Sequence, residues 1–161
     1  MNRFEKSKHD SPGSFNAKLL SLPLETLSLE PPQIVGGSAT IRQVLNLMRE
    51  KNVPAVLICE SDDGPIQGVF TERDALRVYN LGWNLDQRTI REIMRPDPFC
   101  HGPWDSIGFA LKKMIDEDCP HLPVIDLDGR PVGLLNHRQL LRFLGERAAP
   151  ASIYPQSEQA A

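Results

Sequence analysis

The sequence repeats itself once, and this repeat constrains the fold more than any single motif. Residues 27–32 can be placed on residues 93–98 at an offset of 66 (93 − 27). Without a gap, the matches then include Pro32 with Pro98, Gly36 with Gly102, Ile41 with Ile107, Leu45 with Leu111 and Met48 with Met114. Further along, the offset falls to 65, and Gly64 and Gly68 meet Gly129 and Gly133. Two halves of about 65 residues therefore predict two copies of one supersecondary unit.

Each half predicts the order helix, strand, hairpin turn, strand, helix. Thr40 and Ser106 are the predicted N-caps of the two first helices, because apolar residues follow each at helical spacing. The strands are predicted at 55–58 and 66–70, and again at 122–125 and 132–135, with Asp-Gly turns between them. Neither copy buries both faces of its short sheet alone. We therefore expect an α+β (α/β) fold in which the two repeats pack as a pseudo-two-fold pair.

The repeat also divides the chain. We assign residues 1–23 to an N-terminal arm, 24–81 to the first repeat, 82–147 to a linker and the second repeat, and 148–161 to a tail. The first 16 residues and the tail are rich in small and polar residues, so both are predicted to be disordered, while residues 17–22 favour a helical turn. With 161 residues, of which 40% are apolar, the chain can form a real core.

Composition excludes several classes of partner and place. The net charge is −3 and no basic run is present, so we expect no nucleic-acid partner. No apolar run approaches the roughly 20 residues of a membrane span, and the start lacks the apolar region of a signal peptide. The three cysteines have no CxxC spacing, which indicates reduced thiols. These features together predict a cytoplasmic protein.

The sequence contains few patterns that would indicate a metal site or a catalytic site. Cys100-His101 and Cys119-Pro120-His121 contain zinc-ligand types but lack zinc spacing, and the two cysteines suit small positions near the sheet better. Asp126-Leu127-Asp128-Gly129 begins like a calcium loop without its downstream acidic ligands. No motif supplies a nucleophile with a base, so we expect no enzyme, no cofactor and no metal.

The stretch from Gly68 to Asp74 is the candidate site. It predicts the end of a strand followed directly by a helix, with Thr71 as the N-cap. Thr71 and Asp74 would then meet at an exposed first helical turn, where a carboxylate can accept from both hydroxyls of a ribose and free N–H groups can receive a phosphate. Thr-x-x-Asp is equally a capping box that needs no ligand. The heptapeptide alone leaves both interpretations open.

Together, these features resemble a tandem pair of cystathionine β-synthase (CBS) domains, called a Bateman module, of the stand-alone prokaryotic type. The resemblance covers residues 24–147 and rests on Gly68–Asp74, on residues 92–98 (EIMRPDP) and on residues 121–126 (HLPVID). It implies a regulatory module that senses an adenosyl ligand such as AMP, ADP or ATP, and sometimes S-adenosylmethionine, in the cleft between the repeats. The ligand state would be passed to a regulated protein that the sequence does not identify. The alternative is a ligand-free module for dimerisation or assembly.

The resemblance also implies residue roles. Asp74 would hold the ribose hydroxyls, Thr71 would contact the ribose or a phosphate, and Arg73 would add charge beside the phosphate. His121 stands at a position facing the phosphates. The base would lie against a set just ahead of the first helix, namely Gln33, Ile34 and Val35.

The second repeat departs from the pattern. Asn136 and Gln139 replace the Ser/Thr and Asp, and both can still cap a helix. What is lost is the carboxylate that would accept from a ribose. We therefore expect one good nucleotide site and one degenerate second site.

The resemblance further implies a homodimer. In the closing helix, four large apolar residues fall within five positions and span more than one face, namely Leu140, Leu141, Phe143 and Leu144. One face would cover the sheet and the other would meet a second copy by two-fold symmetry. On this basis Phe143 is predicted to lie in the dimer interface.

Overall fold

The fold is described by a computed structural model for residues 17–61 and 64–147. Its strands are β1 Ile34–Gly36, β2 Ala55–Cys59, β3 Ile66–Thr71, β4 Arg95–Pro96, β5 His121–Ile125 and β6 Pro131–Asn136. Its helices are α1 Ile41–Lys51, α2 Glu72–Leu81, α3 Ile107–Asp116 and α4 His137–Arg147. This confirms the predicted α/β class and the order of elements in each repeat. The predictions for residues 1–16, for the tail 148–161 and for the turn at 62–63 lie outside the described residues.

The helices begin where the sequence predicts, because side chains satisfy the free N–H groups of the first turn. At α1, Thr40 Oγ1 accepts from the backbone N–H of Gln43 at 3.2 Å, and Gln43 Oε1 accepts from the N–H of Thr40 at 2.9 Å. At α3, Ser106 Oγ accepts from the N–H of Phe109. The reciprocal pair at α1 is the predicted capping box.

The first sheet has the strand order β1-β2-β3-β4, and the second contains β5 and β6. β1 is parallel to β2, whereas the other pairs are antiparallel. In the second repeat the counterpart of β1 is reduced to one parallel bridge between His101 and Val124. The short strands β1 and β4 were not predicted, because two or three residues carry no period-2 signal.

In each repeat, the last strand pairs with a residue from the segment that leads into the other repeat. β4 leads into the second repeat but pairs with β3 of the first, with Arg95 opposite Val69. Reciprocally, the N–H of Leu134 on β6 donates to the carbonyl of Glu30 at 3.1 Å. Glu30 and Arg95 are therefore counterparts at an offset of 65 (95 − 30), which matches the partners Val69 and Leu134 (134 − 69). The predicted offset of 66, which places Glu30 on Pro96, is wrong at this residue by one position.

Each repeat has its own buried core, and a third cluster joins the two sheets. Ala55, Leu57 and Val69 from the first sheet pack with Leu134 of the second. Burying each such aliphatic side chain contributes about 1.5–3 kcal/mol, and neither short sheet can bury this face alone. The prediction that the repeats pack together is therefore confirmed.

The segment ahead of β1 packs mainly on the second repeat. Leu19, Leu24 and Leu27 belong to the same core cluster as α3 and α4. Among the residues described, no helix is both long and apolar enough to span a lipid bilayer.

The predicted dimer contact at Phe143 is wrong. Phe143 is only 5% exposed and belongs with Leu140 to the internal core of the second repeat. Leu141, by contrast, is 70% exposed. A helix turns 100° per residue, so residues 140 and 143 share the core face and residue 141 points away from it.

Candidate functional site

Thr71 and Asp74 form a buried capping box at the junction of β3 and α2. Asp74 Oδ2 accepts from the backbone N–H of Thr71 at 2.9 Å and from its hydroxyl at 2.8 Å. The N–H of Asp74 donates in return to Thr71 Oγ1 at 3.4 Å. The two residues are only 3% and 2% exposed, so the expectation of an exposed first turn was wrong. β2 covers the turn, because Thr71 lies opposite Ala55 in the ladder.

Two arginines approach the Asp74 carboxylate. Arg95 Nε on β4 lies 3.6 Å from Oδ2, and Arg77 Nη1 on α2 lies 3.5 Å from Oδ1. The Nε atom of Arg95 is buried and has no hydrogen-bond partner among the described residues. A buried donor without a partner is costly, which marks this place as one where a polar group can be accommodated. Sequence reasoning missed Arg95, although its place on the strand beside β3 follows once the registers are known.

Arg73 points to the other repeat rather than to Asp74. Its Nη1 donates to Asp118 Oδ2 at 2.8 Å, and both side chains are largely exposed. Arg73, first among several cationic neighbours, lowers the pKa of Asp118 below its ordinary value. The Arg73–Asp118 pair therefore links the start of α2 to the turn ahead of β5.

His121 opens β5 and lies partly buried between the repeats. Burial, with smaller contributions from His137 and Arg95, lowers the pKa of His121 to about 4. The imidazole is therefore neutral at pH 7. Its Nδ1 is buried without a hydrogen-bond partner among the residues described.

Gln33, Ile34 and Val35 lie apart from these residues. They belong to β1 and its approach, and β2 separates β1 from β3 in the sheet. Ile34 lies opposite Leu57, two residues beyond Ala55, the partner of Thr71. The structure thus brings Thr71, Asp74 and Arg95 together. The three predicted base contacts lie one strand away, and their role stays a prediction.

A cavity of about 520 Å³ lies between the starts of α2 and α4. Its lining comes from both repeats and comprises Glu30, Asn52, Pro54, Glu72, Pro120, His121, Asn136, His137 and Arg138. Several of these are counterparts, for example Pro54 with Pro120 and Glu72 with His137. The cavity therefore straddles the pseudo-two-fold relation between the repeats.

The second repeat caps its helix with amide groups instead. Gln139 Oε1 accepts from the N–H of Asn136 at 2.8 Å, and Asn136 Oδ1 accepts from the N–H of Gln139 at 3.0 Å. Gln139 Nε2 also donates to the carbonyl of Ser28 at 3.1 Å. Both the oxygen and the nitrogen of the Gln139 side-chain amide thus have hydrogen-bond partners. Glu30 occupies the position that corresponds to Arg95 in the first repeat.

The zinc-like residues do not form a metal centre. Among residues 17–61 and 64–147, no group of three or more His, Cys, Asp or Glu side chains is placed to hold a metal ion. Cys100 Sγ donates to the carbonyl of Pro98, and Cys119 Sγ donates to that of His121. Burial, with a smaller contribution from Cys119, raises the pKa of Cys100 to about 11, so its side chain is a thiol at pH 7.

Comparison with protein families matches residues 25–81 and 90–146 to the CBS domain. The chain therefore belongs to the CBS domain family and contains two tandem copies of the domain.

Curated relatives share this region but are longer. The chain is 33% identical over 118 residues to the meiotically up-regulated gene 70 protein of Schizosaccharomyces pombe, covering 70% of this chain and 16% of that protein. It is 32% identical over 115 residues to the arabinose 5-phosphate isomerase KdsD of Pseudomonas aeruginosa, covering 69% of this chain and 33% of that enzyme. The chain thus spans a third or less of these two relatives.

Solved structures of CBS domain pairs have the same fold. The CBS domain protein PAE2072 from Pyrobaculum aerophilum, solved in complex with AMP, aligns with a TM-score of 0.71 and 27% identity over 79% of this chain and 98% of that chain. The CBS domain pair of protein MJ0100, in complex with 5'-methylthioadenosine and S-adenosyl-L-methionine, aligns with a TM-score of 0.70 and 18% identity over 78% of this chain and 97% of that chain. At that identity, the second likeness concerns the fold alone.

Proposed function

We propose that this chain is a regulatory module that binds an adenosyl nucleotide such as AMP in the cleft between its repeats, with Asp74 as the ribose acceptor. The observation that carries the proposal is the Asp74 carboxylate, held by Thr71 beside the unpartnered donor of Arg95. A capping box alone needs no arginine from another strand. The AMP complex of PAE2072, at 27% identity, supports the same ligand class.

The site residues divide between the sugar and the phosphate. Asp74 accepts from the ribose hydroxyls. Thr71 holds the carboxylate in place by donating its one hydroxyl proton to it, so the Thr71 hydroxyl can contact the ligand only as an acceptor. Arg95 supplies positive charge for the phosphate, and neutral His121 supplies a hydrogen bond rather than a charge. Arg73 is not assigned to the phosphate, because it is paired with Asp118.

For the base, Met94 is a better candidate than Gln33, Ile34 and Val35. Met94 precedes Arg95, and its side chain packs over Gly68 of β3, where an added Cβ would clash with its Sδ. A polarizable thioether beside the strand that leads to Thr71 suits the flat face of a purine.

Titration with AMP and 2'-deoxy-AMP tests the ribose assignment. Loss of the 2'-hydroxyl removes one hydrogen bond to a charged acceptor, at a cost of about 1.5–3 kcal/mol, or roughly ten- to a hundredfold in affinity. Equal affinity for the two nucleotides would contradict the assignment. Parallel titrations with ADP, ATP and S-adenosylmethionine identify the preferred adenosyl ligand.

A homodimer is the second part of the proposal, and it rests on exposed apolar residues at equivalent places in the two repeats. Leu76 on α2 is 72% exposed and its counterpart Leu141 on α4 is 70% exposed, while Ile115 on α3 is 67% exposed. These residues give each repeat an apolar helical surface suited to a second copy by two-fold symmetry. The same surface favours the alternative function, a ligand-free assembly module.

The chain itself is proposed to regulate rather than catalyse. Its match to KdsD covers a third of that enzyme, so the isomerase activity is not carried over to the chain. The regulated partner is a protein not identified by these residues, and the cytoplasmic location stays a prediction.

A further inference from the structure

The two repeats carry the same arginine in different electrostatic settings. Arg73 and Arg138 both occupy the second position of their helices, α2 and α4, and are counterparts at the offset of 65 (138 − 73). The turns that follow α1 and α3 also correspond, with Asn52 and Asp118 at an offset of 66 (118 − 52). Both turn residues have positive φ, 52° and 47°. The backbone is thus the same, and only the side chains differ in charge.

In the first repeat, the arginine already has a carboxylate partner. Arg73 is paired with the Asp118 carboxylate at 2.8 Å. An anion that approached Arg73 would have to compete with a tethered carboxylate at high effective concentration. Asp118 therefore acts as an internal anion at this position.

In the other setting the arginine has no carboxylate. Within the described parts of the chain, Arg138 takes part in no ion pair, and the counterpart of Asp118 is the neutral Asn52. Arg138 and Asn52 both line the cavity of about 520 Å³, together with His121 and its unpartnered Nδ1. Arg138 is therefore available to a group that enters this cavity.

Among the described residues that line the cavity, Arg138 is the one permanent cation and stands against two carboxylates, so an anion can bind there only by direct contact with Arg138. No other lysine or arginine lines it, whereas Glu30 and Glu72 do. The cavity also contains His137. Without Arg138, the permanently charged side chains in the lining would all be acidic and would repel an anion.

We infer that Arg138 is the contact for one compact anionic group, such as a phosphate, and that Asp118 withholds the equivalent Arg73 from this role. The inference deepens the proposed function, since the group would belong to the adenosyl ligand. It also makes the two repeats unequal at their phosphate ends, in addition to the inequality of Asp74 and Gln139.

Inorganic phosphate is the probe, with binding followed by ³¹P NMR line broadening on the full chain. We expect Arg138→Gln to weaken binding about tenfold or more, because a charge-assisted contact is lost. Arg73→Gln is the matched control and should change binding less than about twofold. Asp118→Asn should strengthen binding, and Asn52→Asp, which gives Arg138 a carboxylate of its own, should weaken it.

Three outcomes would overturn the inference: equal effects of Arg73→Gln and Arg138→Gln, a larger effect of Arg73→Gln, or no phosphate binding by the wild type at millimolar concentration. Circular dichroism checks that each variant is folded. AMP calorimetry on the same samples separates the two claims. Phosphate binding that depends on Arg138, without AMP binding, would keep the inference and refute the proposed function. AMP binding that is unchanged in Arg138→Gln would keep the proposed function and refute the inference.

Discussion

Nε of Arg95 lies 3.6 Å from Oδ2 of Asp74, although the two residues come from segments that serve different repeats. Arg95 is on the strand that leads into the second repeat, and Asp74 lies in the first turn of the last helix of the first. The separation is longer than a hydrogen bond, so the groups attract each other without being directly bonded. The site is therefore built by both repeats, and its charge depends on the pairing of β4 with β3.

Replacing Arg95 tests whether this residue belongs to the proposed site. Arg95→Gln should weaken AMP binding about tenfold, because the cation proposed to contact the phosphate beside the Asp74 carboxylate is lost. Arg142→Gln, on the exposed surface of the second repeat, is the control and should leave affinity unchanged. Isothermal calorimetry measures both. Unchanged AMP affinity in Arg95→Gln would remove Arg95 from the site.

The capping role of Asp74 predicts an effect on stability. Asp74→Ala removes the acceptor for the N–H of Thr71 and should lower the free energy of unfolding by about 1 kcal/mol. Asp74→Asn keeps an acceptor oxygen and should cost less than half as much. Urea denaturation compares the two variants. If Asn proves as destabilising as Ala, the fold needs the charge of the carboxylate and not merely a cap.

His121 should titrate far below the ordinary pKa of a histidine side chain. Burial lowers its pKa to about 4, so its C2–H resonance should move only below about pH 5 in an NMR titration. His121→Gln identifies the resonance by its loss. A pKa near the ordinary value of about 6.5 would show that solvent reaches the ring.

The lowered pKa of His121 also predicts the direction in which the stability of the protein changes with pH. The unfolded chain takes up the His121 proton near pH 6.5 and the folded chain near pH 4, so the unfolded state binds more protons between these values. Stability should therefore be complete above about pH 6.5 and fall as the pH drops toward 4. Urea midpoints of wild type and His121→Gln measure this contribution. An equal fall in both proteins would mean that other groups cause it.

The dimer prediction now rests on the exposed positions. Leu76→Glu and Leu141→Glu should convert a dimer into a monomer of about 18.0 kDa in sedimentation equilibrium, with the circular dichroism spectrum preserved. Phe143→Glu is the contrasting variant and should unfold the second repeat, because it buries a charge in the core. A wild-type monomer at micromolar concentration would refute the dimer.

The sequence predicted the elements that repeat and the caps that begin them. Thr40, Thr71 and Ser106 cap helices as expected, because capping depends on residues only three positions apart. The pairing of β4 with β3 was not predictable in this way. It depends on contacts between segments about 26 residues apart (95 − 69), and two residues give no register signal.

The sequence predicted the part of the candidate site that lies within one helical turn, but not the part that comes from distant segments. Thr71 and Asp74 are neighbours on one turn, so the pattern could join them. Arg95 reaches them only through the sheet, and the position of Gln33 on the far side of β2 likewise depends on strand order, which no local pattern predicts. The burial of Asp74 and of Phe143 depends on which helix face meets the core, a choice that four apolar residues in five positions leave open.

The central claim is that Asp74 binds a ribose in addition to capping α2, and calorimetry with AMP on Asp74→Asn tests it most directly. The amide keeps the cap but removes the negative charge, so we predict one AMP per wild-type chain and a loss of at least about tenfold in affinity in the folded variant. Gln139→Ala, at the counterpart position, should bind as wild type does. Equal AMP affinity in wild type and Asp74→Asn, or no AMP binding by the wild type, would contradict the account.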